Sequence, residues 1–239
     1  MIIGKNITKT YVSGEIETHV LRGIDIHIKS GEFVAIMGKS GAGKSTLMYQ
    51  LALLDLPTGG NIQIDGVDVV ALPELDRTDI RLQDLGYVFQ DYALLPELSA
   101  QENVMMPLLM IGMNRYDAQA RAREVLDQVE LSHRYNNRPG QLSGGEQQRV
   151  SIARAIVQKP KILFADELTA NLDTASSTRV IELLMELHRE GQTIVMVTHE
   201  AEYTYPCDRI IYLEDGQIIS HDYDIEKRMD RVRTRSSVI

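Results

Sequence analysis

Five apolar residues, Phe33–Met37, run directly into Gly38-Lys39-Ser40-Gly41-Ala42-Gly43-Lys44-Ser45-Thr46, and a helical segment over 46–54 opens on the last of these. A strand that ends in a glycine-rich turn and restarts as a helix fits few architectures. The glycines let the backbone wrap with its N–H groups inward, and the helix N-terminus adds positive potential, so the turn is built to receive an anion. The spacing is Gly-x4-Gly-Lys-Ser/Thr, that of a P-loop. Lys44 is placed to reach the β- and γ-phosphates of a nucleotide, and the Ser45 hydroxyl to ligate Mg²⁺. Lys39 reads as a solvated charge within the same turn.

Three further apolar runs, 87–89, 162–165 and 194–197, suit central strands of a parallel sheet covered on both faces. They lead into Gln90, Asp166-Glu167 and Thr198-His199. Ligands of open α/β sheets bind beyond the carboxyl ends of the strands. Four strands therefore carry glycines, an amide, two carboxylates and an imidazole towards one edge. Segments 24–29 and 62–65 instead alternate strictly, as half-buried antiparallel strands do. Between Gln90 and Pro160 the pattern turns helical. Segment 116–131 places Ala120, Val125, Leu126 and Val129 on a stripe, and 147–157 forms a second helix. A hairpin, 210–213 with 217–219, turns at Asp215-Gly216. The expected fold is α/β: a P-loop core with a mostly parallel sheet, an N-terminal antiparallel β subdomain and a helical insert over about 96–158. One domain spans 1–222, and a charged tail follows over 223–239.

Asp166 ends a buried run, where an ionised carboxylate is costly unless it meets a cation. Mg²⁺ held through water supplies one. Glu167 beside it is placed to orient and polarise an attacking water. The formal net charge of -9 disfavours a nucleic-acid-coating role, which needs a basic face. Cys207 is the only cysteine, so no internal disulfide forms and a reducing cytoplasm is expected. The N-terminus lacks the apolar run of a signal peptide. A bilayer-spanning helix needs roughly 20 apolar residues, and the most apolar stretch, 104–113, is interrupted by Pro107 and Gly112.

Leu142-Ser143-Gly144-Gly145-Glu146-Gln147-Gln148-Arg149 resembles the signature motif of the ABC ATPases. Kinases and GTPases built on a P-loop lack it. Physically it is a second anion site at a helix N-terminus. The resemblance covers nearly the whole chain. It implies ATP as ligand, with Mg²⁺, and a head-to-tail homodimer in which Leu142 to Gln147 of one copy meet the nucleotide of the other. It further implies that Gln90 reaches Mg²⁺ and the water, that His199 contacts the γ-phosphate, that Asn171-Leu172-Asp173 crosses the dimer interface and that Tyr11 stacks on adenine. Leu168 stands where relatives carry proline, which leaves that turn freer.

Segment 85–90 with Leu94-Leu95-Pro96 and Glu102-Asn103-Val104 is similar to the ATPases of lipoprotein-release, macrolide-export and cell-division systems. The implied function is the ATP-hydrolysing subunit of a transporter, on the cytoplasmic face of the membrane, driving a separate integral membrane permease. The alternative is a non-transporting ATPase that regulates a membrane protein in cell division. Neither binds nucleic acid. Met105, Met106, Met110 and Met113 crowd into 104–113, more apolar surface than one face of a short helix buries. Methionine suits a surface that repacks against a moving partner, and Met106 and Met113 are the expected exposed members.

Overall fold

The computed structural model describes residues 1–222; the expected charged tail, 223–239, lies outside the described residues. The chain runs β1 (Ile2–Ser13), β2 (Ile16–Ile28), β3 (Phe33–Met37), α1 (Lys44–Leu51), β4 (Gly59–Ile64), β5 (Val67–Asp68) and α2 (Glu74–Gln83). It continues through β6 (Leu85–Val88), α3 (Ala100–Met110), α4 (Arg115–Gln128), α5 (Gly144–Ile156), β7 (Ile162–Asp166) and α6 (Thr174–Arg189). β8 (Thr193–Val197), β9 (Arg209–Glu214) and β10 (Gln217–Asp222) complete it. Two compact units result, one from Met1–Arg77 with the chain from Glu190 onward, the other from Thr78–Arg189.

The first unit holds two sheets. β2, β1, β4 and β5 pair antiparallel in that order. β1 shifts register against β2 between Gly4 and Ile7, between Ile7 and Thr8 and between Lys9 and Thr10, and Asn6, within the first of these, takes a left-handed φ of 48°. In the other sheet β3 lies parallel between β8 and β9, and β10 closes antiparallel on β9. Every residue of β3 and β8 is buried, as the continuous apolar runs require of parallel strands. The hairpin between β9 and β10 turns at Asp215 and Gly216, both at positive φ.

The second unit is built around β6 and β7, which pair parallel from Leu85↔Ile162 to Val88↔Ala165. α5 lies hard against this pair: a Cβ at Gly86 would come 2.5 Å from the Ala155 carbonyl oxygen. α3 opens on a capping box in which Ser99 and Glu102 satisfy each other's backbone N–H groups. It then runs through Pro107, whose carbonyl accepts from Gln158 Nε2 at 2.8 Å.

Three helical expectations need correcting. α1 starts two residues before the expected 46–54 segment, so Lys44 and Ser45 lie in its first turn. α4 is capped by Asn114, and its buried stripe is Ala118, Ala122, Val125 and Leu126; Ala120 is exposed. The methionine segment divides differently from expectation. Val104, Met105 and Leu108 are core, and Met106 and Met113 are half-buried. Met110, at 64% exposure beside Leu109 and Ile111, is the outward residue. One turn of helix explains this, since residues 105 and 108 share a face that 106 and 110 leave.

Candidate nucleotide site

In the first unit the cradle is shaped by its glycines. A Cβ at Gly38 would lie 2.2 Å from the Leu213 carbonyl oxygen, so no other residue fits. Gly41 and Gly43 hold φ of 80° and 97°, a region that suits glycine. Gly216 N donates to Ala42 O at 3.1 Å, which ties the β9–β10 turn to the loop. α1 begins on Gly43 with no side-chain cap and no acidic residue in its first turn. Its leading N–H groups and partial positive charge are left for an incoming anion.

Lys44 is 7% exposed. Its ammonium donates to Lys39 O at 3.1 Å and forms no ion pair among the described residues. A cation so far out of water, answered by one carbonyl, fits an anionic ligand at the same turn. Lys39 itself is well exposed and pairs with Glu214 at 3.3 Å. β8 leaves the sheet beside β3 and in the same direction, so His199 emerges next to the cradle. Its turn is pinned by Glu200 N donating to Thr198 Oγ1 at 3.1 Å.

Tyr11 lies on β1 in the same unit, 42% exposed. Its hydroxyl donates to Asp55 Oδ2 at 2.9 Å, Lys9 sits 4.9 Å over its ring, and Lys9 also bonds Asp55. Burial first, then the Asp55 carboxylate, raise the Tyr11 pKa; the Thr46 side chain bonds the same hydroxyl and acts the other way. The hydroxyl thus ties the ring to Asp55 and to Thr46 at the end of the cradle. Sequence reasoning passed over Lys9 and Asp55. Only their spacing from Tyr11 in three dimensions gives them a role.

The second unit gathers the remaining residues. β6 and β7 run parallel, so Gln90 and Asp166-Glu167 emerge at one end. Asp166 is 4% exposed and accepts from the Tyr87 hydroxyl at 3.2 Å. Glu167 takes a left-handed φ of 45°. Such a conformation costs on the order of 1–3 kcal/mol and clusters at functional sites. Leu168 is buried, and Ala170 N closes the turn onto Glu167 O at 3.2 Å. Asn171 Nδ2 donates to Gln90 O at 3.3 Å, and Asp173 accepts from Ser176 N at 2.8 Å to cap α6.

Ser143 is the N-cap of α5. Its hydroxyl accepts from Glu146 N at 3.3 Å while Glu146 Oε2 accepts from Ser143 N at 2.8 Å. Arg134 Nε donates to Glu146 at 2.8 Å, and Gln147 Nε2 to Leu142 O at 3.2 Å. The two glycines answer close neighbours: a Cβ at Gly144 would meet the Tyr92 hydroxyl at 3.1 Å, and one at Gly145 the Ser176 hydroxyl at 2.7 Å. Leu142 and Gly145 are buried, and Ser143 faces out.

A glycine-shaped anion cradle on an α/β core, with a second glycine-led helix start in the same chain, defines a P-loop nucleotide-binding protein. The chain belongs to the ABC transporter family, whose model matches residues 21–170. It is 48% identical to the lipoprotein-releasing system ATP-binding protein LolD of Geobacter metallireducens, over 90% of this chain and 96% of that one. It is equally 48% identical to the macrolide export ATP-binding/permease protein MacB of Chlorobium luteolum, over 95% of this chain. There it spans only 33% of the relative's length. Among solved structures, the dimeric bacterial ABC transporter cassette MJ0796 matches with a TM-score of 0.88 and 42% identity, over 93% of this chain and 98% of that one. A dimeric post-hydrolysis state of the same cassette, bound to ADP and Pi, matches with a TM-score of 0.87.

Proposed function

We propose that this chain is the ATP-hydrolysing cassette of an ABC transporter, which joins to a second copy over ATP and passes the movement to a separate integral membrane permease. The reading rests chiefly on Lys44, a nearly buried cation at a glycine-shaped turn whose bonded partner is a carbonyl. Relatives named for lipoprotein release and macrolide export point to transport, and the dimeric cassettes of like fold point to the two-copy state. The exposed Leu109, Met110 and Ile111 are where we place the permease contact, on the cytoplasmic face of the membrane.

In this reading Gly38 to Thr46 wrap the phosphates with backbone N–H groups and Lys44 adds its charge at the γ-phosphate. Tyr11 offers its ring to adenine. Ser45, Asp166 and Gln90 are all oxygen donors, the set that Mg²⁺ demands. When bound, that ion neutralises charge on the phosphate oxygens. Glu167 orients the water and takes its proton, and His199 bonds the γ-phosphate. Leu142 to Gln147 serve the partner copy's nucleotide through the exposed Ser143.

Glu167→Gln keeps shape and loses the carboxylate. The variant should bind ATP, fail to hydrolyse it, and elute from size exclusion as a dimer with ATP and a monomer with ADP. Adding Ser143→Arg should return the monomer. The same species with either nucleotide would overturn the two-copy model.

A further inference from the structure

The loop that follows Gln90 is held in a costly shape. Tyr92 and Ala93 take φ of 64° and 47°. Two consecutive non-glycine residues in the left-handed region persist only where surrounding groups hold them. The holding groups come from α5. Ser151 Oγ donates to Tyr92 O at 3.0 Å, Arg154 Nη2 donates to the same oxygen at 2.9 Å, and Arg154 Nη1 donates to Ala93 O at 2.6 Å. The Arg154 guanidinium makes no ion pair among the described residues, and burial lowers its pKa. A half-buried cation thus bonds two carbonyls of one strained turn.

The Tyr92 side chain reaches the other end of the same helix. Its hydroxyl lies where a Cβ on Gly144 would come within 3.1 Å. Gly144 and Ser151, seven residues apart, share one face of α5. One residue of the loop therefore touches the first turn of α5 through its ring and the third through its carbonyl.

We infer that Arg154 is a positioning residue, a clamp that fastens the Tyr92–Ala93 turn to α5 so that Gln90 and the Ser143-Gly144-Gly145 turn move as one piece. The consequence for turnover rests on the function proposed above, in which Gln90 serves the nucleotide of its own copy and Ser143 that of the other. A change felt at Gln90 then reaches Ser143 through two guanidinium bonds rather than through a slack loop. Binding of ATP by the cradle of a single copy does not use the clamp.

The test uses the full chain and the variants Arg154→Ala and Arg154→Lys. Without nucleotide, hydrogen exchange of the amides around Tyr92 and Ala93 should speed up roughly ten- to a hundredfold in Arg154→Ala, the value of a lost pair of charge-assisted bonds. Arg154→Lys, able to keep one bond, should fall between. ATP turnover should fall by a similar factor with the affinity for a fluorescent ATP analogue unchanged, and Lys should restore part of it. Unaltered exchange in Arg154→Ala would overturn the clamp, as would wild-type turnover. Parallel loss of affinity and turnover would also overturn it, since a merely structural arginine behaves that way. A wild-type chain without ATPase activity would instead sink the proposed function, and the exchange measurement would still decide the clamp.

Discussion

The starts of α1 and α5 are both glycine-led helix N-termini, and they are finished in opposite ways. α1 opens on Gly43 at φ 97° with no side-chain cap and no carboxylate in its first turn. α5 opens on Ser143 in an ordinary extended conformation, closed by a reciprocal capping box with Glu146. The glycines differ too. Gly38 is demanded by a backbone oxygen that cannot yield, whereas a Cβ on Gly144 would press first on the Tyr92 hydroxyl and one on Gly145 on the Ser176 side chain, its Oγ at 2.7 Å and its Cβ at 2.9 Å. The lesson is that one chain finishes two glycine-led helix starts in opposite ways. The first leaves its donors bare and holds a buried ammonium beside them; the second satisfies its own backbone and presents one exposed hydroxyl.

The largest expected effect separates activity from stability at the cradle. Lys44→Ala should lower ATP turnover by about a hundredfold or more, because charge developing on the γ-phosphoryl loses its preorganised partner. The unliganded variant should melt no lower than wild type, since a nearly buried cation held by one carbonyl adds little to the fold. A marked drop in melting temperature would show that Lys44 supports the turn structurally, and the contrast with α5 would weaken.

A pair of alanine substitutions measures the second half of the contrast. Gly38→Ala should cost about 3 kcal/mol in urea denaturation, because its Cβ would stand 2.2 Å from the Leu213 backbone oxygen and the strand must shift. Gly144→Ala, with ordinary φ and only the Tyr92 hydroxyl at 3.1 Å, should cost less than about 1 kcal/mol. Equal costs would mean that both turns are packed with the same rigidity.

The cradle side of this comparison was legible in the sequence because each of its signals is local. Phe33–Met37 is a continuous apolar run, the glycines are contiguous, and the helix follows at once. The same holds for β7 and β8, whose five residues each are all buried. β1 was not read, because its bulges break the alternation that would have marked it. α6 keeps helical spacing at Val180, Ile181, Leu184 and Leu187 behind the Asp173 cap, but its start is masked because Asn171-Leu172-Asp173 has the composition of a loop. The signature string was visible, but its internal work was not. That Gly144 makes room for Tyr92, and that Arg154 holds the Tyr92 carbonyl, depends on a loop folding back from Gln90. No spacing along the chain records that return.

The smallest effect tests the cap itself. Burial of Glu146 raises its pKa, but the Ser143 N–H and Arg134 outweigh it, and the carboxyl ends below its usual 4.5. A depressed folded pKa adds stability that is fully present above the unfolded value and is lost as pH falls through the folded one. Glu146→Gln keeps the shape and removes the charge, so it should cost about 1 kcal/mol at neutral pH. The gap between wild type and variant should then begin to close below 4.5 and vanish once the pH has fallen through the lower folded value, where both side chains are neutral. α1 carries no acidic residue in its first turn, so no such term exists at the cradle. Stability differences measured by urea titration at neutral and acid pH decide the matter. A gap that stays constant on acidification would show that Glu146 holds α5 by packing alone, and the start of α5 would then be less unlike that of α1 than its hydrogen bonds indicate.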